Sequence, residues 1–353
     1  MSRPTYALID TAAFVANYRL ARSLAPGARA LAVVKANAYG HGAVALARAL
    51  GDEADAFGVA CTEEAMELRE SGIGNPILLM EGPFEPAEIT NAALHGLDLV
   101  IHAQHQLDWL LAARIAAPLT VWLKVDTGMH RLGLEPDRLP DALANLEGSP
   151  NVGEVVLMSH LACADEPGHA MNRRQQATFE NCGQLPVASL ANSAAVLSRP
   201  TAHRQWVRPG IMLYGSSPVT GRHPDLRAVM TFESRLIAIH ELAAGESIGY
   251  GGRFRCDAAT RVGVVAAGYA DGYPRHAPDG TPVSINGQRS RLIGRVSMDM
   301  LTVDLSDQPH AAVGDRVQLW GEQVLADEVA AASGTIAYEL FTRMNRRVHY
   351  RYS

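Results

Sequence analysis

The chain has 353 residues, 48% of them apolar and 19% charged, and a net charge of −6. That length predicts one large and one smaller domain with a sizeable core, and the composition leaves no room for a long disordered stretch. A mildly acidic chain without a basic cluster argues against a nucleic-acid partner, and no apolar run is long enough to span a bilayer.

The start, Met1 to Asp10, lacks the apolar core of a secretory signal. Cys61, Cys163, Cys182 and Cys256 are scattered, with no C-x-x-C pair, so neither a zinc or other metal site nor a disulfide framework is expected. These features predict a cytoplasmic protein.

Thr11 to Leu24 has the apolar spacing of an amphipathic helix, capped by Asp10 or Thr11. Short apolar runs then alternate with helical patterns. Strands are predicted over Ala30–Lys35, Ala56–Ala60, Ile77–Met80, Leu97–Ile101, Leu119–Val125, Val155–Ser159, Val187–Leu190 and Val207–Leu213. Helical stretches lie between them, among them Ala43–Leu50, Glu63–Glu70, Gln104–Arg114, Asn172–Asn181 and Ser193–Arg199. Eight such units are the arithmetic of a (β/α)8 TIM-type barrel, with a doubly wound open sheet as the competing architecture.

The pattern changes near Arg227. Valine, isoleucine and glycine become frequent, and Ala244-Gly245, Asp279-Gly280 and Asn286-Gly287 signal turns, the last a tight hairpin. Strands are predicted over Arg261–Ala266, Leu301–Leu305, Arg316–Leu319 and Arg347–Tyr352, with one or two helices between Leu325 and Met344. The chain therefore divides into a barrel over 1–226 and a mostly-β domain over 227–353.

Active-site residues of a barrel project from the C-terminal ends of its strands. Polar residues recur there: Lys35, Lys124 with Asp126, His160, Asn192 with Ser193, and Arg208 followed by Pro209-Gly210. Ser193, Gly210 and Ile211 fall where such barrels bind phosphate. Lys35 stands out further, because only Lys35 and Lys124 are lysines among 31 basic residues. Arginine carries nearly all the positive charge, so a lysine that remains is expected to be needed as an amine, which can lose its proton and act as a nucleophile.

Val33-Val-Lys-Ala-Asn-Ala-Tyr-Gly-His-Gly42 resembles the pyridoxal-phosphate attachment motif of the alanine racemase family. The resemblance implies that Lys35 is the covalent anchor of pyridoxal 5'-phosphate. It extends, in order, over nearly the whole chain. Lys124-Val-Asp-Thr-Gly-Met-His-Arg-Leu-Gly133 resembles the second motif, in which Arg131 binds the substrate carboxylate and Lys124 is often carbamylated. A salt bridge of Lys124 with Asp126 or another carboxylate is the alternative. Tyr39, Ser193, Gly210, Ile211 and Tyr338 match the phosphate ligands. Arg208 matches the donor to the pyridine nitrogen, and His160 its hydrogen-bonded histidine.

Ile248-Gly-Tyr-Gly-Gly-Arg-Phe254 resembles the motif of the catalytic tyrosine, which makes Tyr250 the second base opposite Lys35. Gly268–Arg275 and Gly294–Met300 match further motifs, placing Tyr269 at the narrow entrance and Met298 with Asp299 near the substrate carboxylate. Ser297 stands where many members have cysteine, and His130 where glycine is common. The resemblance implies a homodimer with shared active sites acting on a small amino acid, alanine first. A racemase preferring serine, a barrel-type decarboxylase and a non-catalytic pyridoxal-phosphate carrier are the alternatives. Decarboxylases pair the ring nitrogen with a carboxylate, against Arg208, and carriers lack a second domain.

Overall fold

The structure is a computed structural model. It describes residues 3–183, 185–221 and 223–353; Met1 and Ser2, where the predicted barrel domain begins, lie outside the described residues. Strand β1 (Tyr6–Ile9) comes first. Eight parallel strands follow: β2 (Arg29–Val33), β3 (Ala56–Val59), β4 (Ile77–Leu79), β5 (Leu97–Ile101), β6 (Leu119–Lys124), β7 (Val152–Met158), β8 (Ala188–Asn192) and β9 (Trp206–Arg208). They close on themselves, with β2 pairing β3 at Leu31↔Ala56 and β9 at Arg29↔Trp206. The barrel is closed, so the open doubly wound sheet is excluded.

These strands form because both faces are covered, the inner by the barrel's own side chains and the outer by helices. The result is the continuous apolar run rather than alternation: Ile77, Leu78 and Leu79 all have no exposure. Helices connect them, including Ala43–Leu50, Thr62–Glu70, Gln104–Ala112, Leu139–Glu147, Ala170–Asn181 and Ser193–Ser198. The strand predicted to reach Leu213 stops at Arg208, since Pro209 ends the ladder and Ile211–Tyr214 coils into a 3-10 turn.

The other unit contains β10 (Met230–Leu242), β11 (Ser247–Ile248), β12 (Phe254–Arg255), β13 (Thr260–Val265), β14 (Pro282–Ile285), β15 (Gln288–Arg291), β16 (Leu301–Asp304), β17 (Arg316–Trp320) and β18 (His349–Tyr352). One sheet runs β15-β14-β17-β10-β1-β18, with β13 joining β10 to β16. The 13-residue β10 alternates buried and partly exposed positions over its first half, as a sheet with one covered face requires. Asn286 and Gly287, at φ 49° and 88°, make the two-residue hairpin between β14 and β15.

The two compact units interleave along the chain. The described residues up to Phe14, with Tyr214–Ser216, cluster with Arg227–Ser353, and the barrel unit is Val15–Leu213 with Ser217–Leu226. The reason is strand pairing: β1 lies antiparallel to β10 and parallel to β18, so its backbone groups are satisfied in that sheet.

Candidate active site

Lys35 lies two residues beyond β2, Lys124 ends β6, His160 lies two beyond β7, Ser193 one beyond β8, and Arg208 ends β9. In a closed parallel barrel these positions share one rim. The predicted barrel residues are therefore gathered at its C-terminal mouth.

After Lys35 the backbone does something unusual. Ala36, Asn37, Ala38 and Tyr39 all have φ between 50° and 53°, a left-handed turn built without glycine. For L-residues this costs on the order of 1–2 kcal/mol per residue. Hydrogen bonds hold it: Ala36 N–H donates to Glu64 Oε1 at 2.7 Å, Gly42 N–H to Asn37 O at 2.9 Å, and Ala43 N–H to Asn37 Oδ1 at 2.9 Å. His41, fully buried, donates from Nδ1 to Tyr39 O at 2.9 Å. Burial pushes this imidazole down to about 4, so it stays neutral. The turn delivers the Tyr39 hydroxyl to Gly210, where a side-chain Cβ would lie 2.7 Å from it.

Around that hydroxyl is a set of donors suited to an anion. Ser193 Oγ accepts from Gly210 N–H at 2.7 Å and Met212 N–H at 3.4 Å. Its own proton remains to be donated outward. Ile211 lies between those two amides, on the same 3-10 turn.

Arg208 is 2% exposed. Its guanidinium donates to Ser189 Oγ at 2.6 Å, Ser159 O at 2.7 Å and Leu190 O at 3.4 Å, and one NH2 group reaches His160 Nδ1 at 3.4 Å. None of these acceptors is a carboxylate. Arg208 Nε is buried with no partner among the described residues. Burial pulls the guanidinium down to about 10, which still leaves it charged near neutrality. Burial, and then the Arg208 charge, hold His160 well below its ordinary range, so its Nδ1 is an acceptor.

Lys124, 5% exposed, is pushed down to about 8 by burial first and then by Arg208, Arg131 and Lys35; Asp126 opposes this weakly. Among the described residues Lys124 forms no salt bridge with Asp126 or another carboxylate. Asp126 instead accepts from Gly128 N–H at 2.8 Å and pairs with His130 Nδ1 at 3.0 Å. His130 has φ 57°, the backbone region where glycine is the default. The rim thus carries an excess of positive charge, as a site for a phosphate and a carboxylate requires.

Tyr250, Tyr269, Met298, Asp299 and Tyr338 belong to the other unit. Tyr250 sits on a short turn between Gly249 and Gly251 and is 69% exposed. The Tyr269 turn is held to the 297–298 segment, Tyr269 N–H donating to Ser297 O at 3.0 Å and Ala270 N–H to Met298 O at 3.0 Å. Asp299 is paired with Arg347 at 2.6 Å. Tyr338 opens the helix Ala337–Thr342. Sequence reasoning missed Glu64, Ser159, Ser189 and Gln175, which orient the rim. Ser159, just past β7, and Ser189, near the start of β8, interrupt otherwise apolar runs and were the available signal.

A barrel with a lysine amine, an anion cradle and a buried guanidinium that faces no carboxylate at its mouth has the makings of an enzyme of the barrel-type pyridoxal-phosphate class. The family model for the N-terminal domain of alanine racemase matches residues 9–218, and that for the C-terminal domain matches 229–352. An alanine racemase of Azoarcus sp. is 54% identical over 99% of both chains. A catabolic alanine racemase of Pseudomonas putida is 53% identical over 98% of both. The crystal structure of the biosynthetic alanine racemase from Pseudomonas aeruginosa superposes with a TM-score of 0.97 at 50% identity, covering 99% of each chain. The alanine racemase of Bartonella henselae, solved with covalently bound pyridoxal phosphate, matches at 0.90 and 32% identity over 99% of each chain. The chain belongs to the alanine racemase family.

The residues present fit the family's cofactor. The orphaned Arg208 Nε is a donor for a ring nitrogen, and Tyr39 and Ser193 supply hydroxyls and Ile211 an amide for a phosphate, with Gly210, whose N–H holds Ser193 Oγ, leaving the space. Because a methyl group at position 210 would press on the Tyr39 hydroxyl, Gly210→Ala is expected to raise the cofactor dissociation constant by roughly tenfold or more. Titration of the visible absorbance checks this, and unchanged affinity would contradict the cradle.

Proposed function

We propose that Lys35 and Tyr250 are the two proton-transfer groups with which the chain interconverts L-alanine and D-alanine, one for each face of the α-carbon. The observation that carries this reading is the division of labour. The barrel mouth offers one amine beside an anion cradle, and the other unit offers an exposed phenol on a turn. Bound pyridoxal 5'-phosphate withdraws electrons and so acidifies the α-hydrogen.

The side chains do the rest. Arg131, on the exposed loop after β6, binds the substrate carboxylate. Met298 and Asp299 border it, and Tyr269 and Tyr338 narrow the approach to favour small substrates. Arg208, whose buried Nε has no partner among the described residues, would hold the ring nitrogen. A guanidinium keeps its proton, so it restrains electron withdrawal and disfavours side reactions such as transamination. His160 accepts at Nδ1 from Arg208 and therefore carries its proton on Nε2. That N–H is a donor for the phenol oxygen of Tyr250, which must lose and regain a proton.

We further infer a homodimer in which Tyr250 of each subunit serves the other's barrel. Tyr250, Met298, Met300 and Tyr269 are 69%, 53%, 43% and 37% exposed. That is a concentration of apolar surface on neighbouring turns that a partner would cover. Free thiols at Cys61, Cys163, Cys182 and Cys256 suit a reducing cytoplasm.

Lys124 we propose to be carbamylated. Carbon dioxide adds to its neutral amine and a proton leaves, giving an anion to face Arg131. With the amine titrating at about 8, the reactive neutral form grows as pH rises through that value. Isotopically labelled bicarbonate is expected to give a carbamate carbon resonance stronger above that pH and missing in Lys124→Met. A spectrum identical in the two proteins would refute the modification.

The shared site is tested by mixing. Refolding inactive Lys35→Ala and Tyr250→Phe subunits together is expected to restore up to about a quarter of parent activity, one intact site in each mixed dimer. No recovery would mean that each site is built from one chain.

A further inference from the structure

The helix Ala170–Asn181 turns an odd face inward. Its buried positions are Asn172, Gln175 and Phe179, so two of the three side chains on that stripe are amides. A buried amide is costly unless every hydrogen-bonding group is used. Gln175, 1% exposed, uses all of them. Its Oε1 accepts from Ala162 N–H at 2.9 Å, and its Nε2 donates to His160 O at 2.9 Å and Thr127 Oγ1 at 3.3 Å.

Those partners belong to two separate loops. His160 and Ala162 follow β7, and the amide grips the backbone on both sides of Leu161 as a neighbouring strand would. Thr127 lies between Lys124 and Arg131 in the loop after β6. From Thr127 the chain of bonds continues inward: Thr127 Oγ1 meets Ser159 Oγ at 2.9 Å, and Ser159 Oγ donates to Val125 O at 2.8 Å. Ser159 O is the acceptor of Arg208 at 2.7 Å. One side chain therefore ties the Arg131 loop, the His160 backbone and the principal carbonyl acceptor of Arg208 into a single register.

We propose that Gln175 is a positioning residue for the racemisation, setting the substrate-carboxylate loop and the Arg208–His160 pair together. This rests on the reading of Arg131, His160 and Arg208 given above. Gln175→Glu keeps the acceptor and the shape but removes both N–H donors. Gln175→Met keeps the length and removes all polar function. Asn172→Ala is the control, since Asn172 on the same stripe donates only to Cys163 O and Glu166 O, each at 2.9 Å.

The experiment measures cofactor dissociation constant, KM and kcat for alanine, and Tm on the holoenzymes. Both Gln175 variants are expected to raise KM and the cofactor dissociation constant by roughly fivefold or more. Asn172→Ala is expected to lower Tm while leaving both constants within about twofold. If the Gln175 variants lose only Tm, or if Asn172→Ala shifts the constants equally, Gln175 is structural and the proposal falls. Should Gln175→Met fail to fold, Gln175→Glu decides alone. Arg208→Lys, measured alongside, separates the two ideas: no effect on cofactor affinity there would overturn the site reading itself.

Discussion

A guanidinium buried to 2% exposure with no carboxylate against it is the constraint on which the barrel mouth depends. Moving such a charge from water is expensive, and neutral acceptors must compensate. Ser189 Oγ, Ser159 O and Leu190 O do so, supplied from the residue just beyond β7 and from within β8. The same positive charge then propagates. Burial first, and then this charge, keep His160 neutral and lower the amine of Lys124. A carboxylate beside Arg208 would relieve this field and occupy the one nitrogen left over, Nε.

That unrelieved field explains why the mouth suits an anionic cofactor and an anionic substrate together. It also bears on the chemistry. A ring nitrogen facing a group that retains its proton withdraws electrons less fully than one facing an acid. On the proposed reading, this restraint would favour moving the α-hydrogen between Lys35 and Tyr250 over other reactions. The left-handed turn at Ala36–Tyr39 serves the same end mechanically. Its strain is offset by Glu64, Asn37 and His41, and it lets one short segment supply both an amine and a hydroxyl set against Gly210.

Much of this was legible in the sequence because it follows from local pattern. The eight apolar runs gave the barrel, Asn286-Gly287 gave its hairpin, and the scarcity of lysine isolated Lys35. What was not legible depends on tertiary context. Four residues, Tyr6–Ile9, carry too little periodicity to reveal that they pair with β10 and β18 rather than opening the barrel unit. Ala36, Asn37, Ala38 and Tyr39 have no glycine to announce positive φ. Gln175 reads as one polar residue in a polar helix, and only its burial shows that it faces inward. The grouping of Tyr250 with the barrel residues came from resemblance, since nothing in spacing links position 250 to position 35.

The central claim is that two different groups move the α-hydrogen, one on each face. Tyr250→Phe holoenzyme incubated in heavy water with each enantiomer of alanine separately tests it most directly, by following α-hydrogen exchange and configuration. The account expects one enantiomer to exchange with retention, through Lys35, while the other exchanges no faster than background. Exchange of both enantiomers, or racemisation at the parent rate, would contradict it.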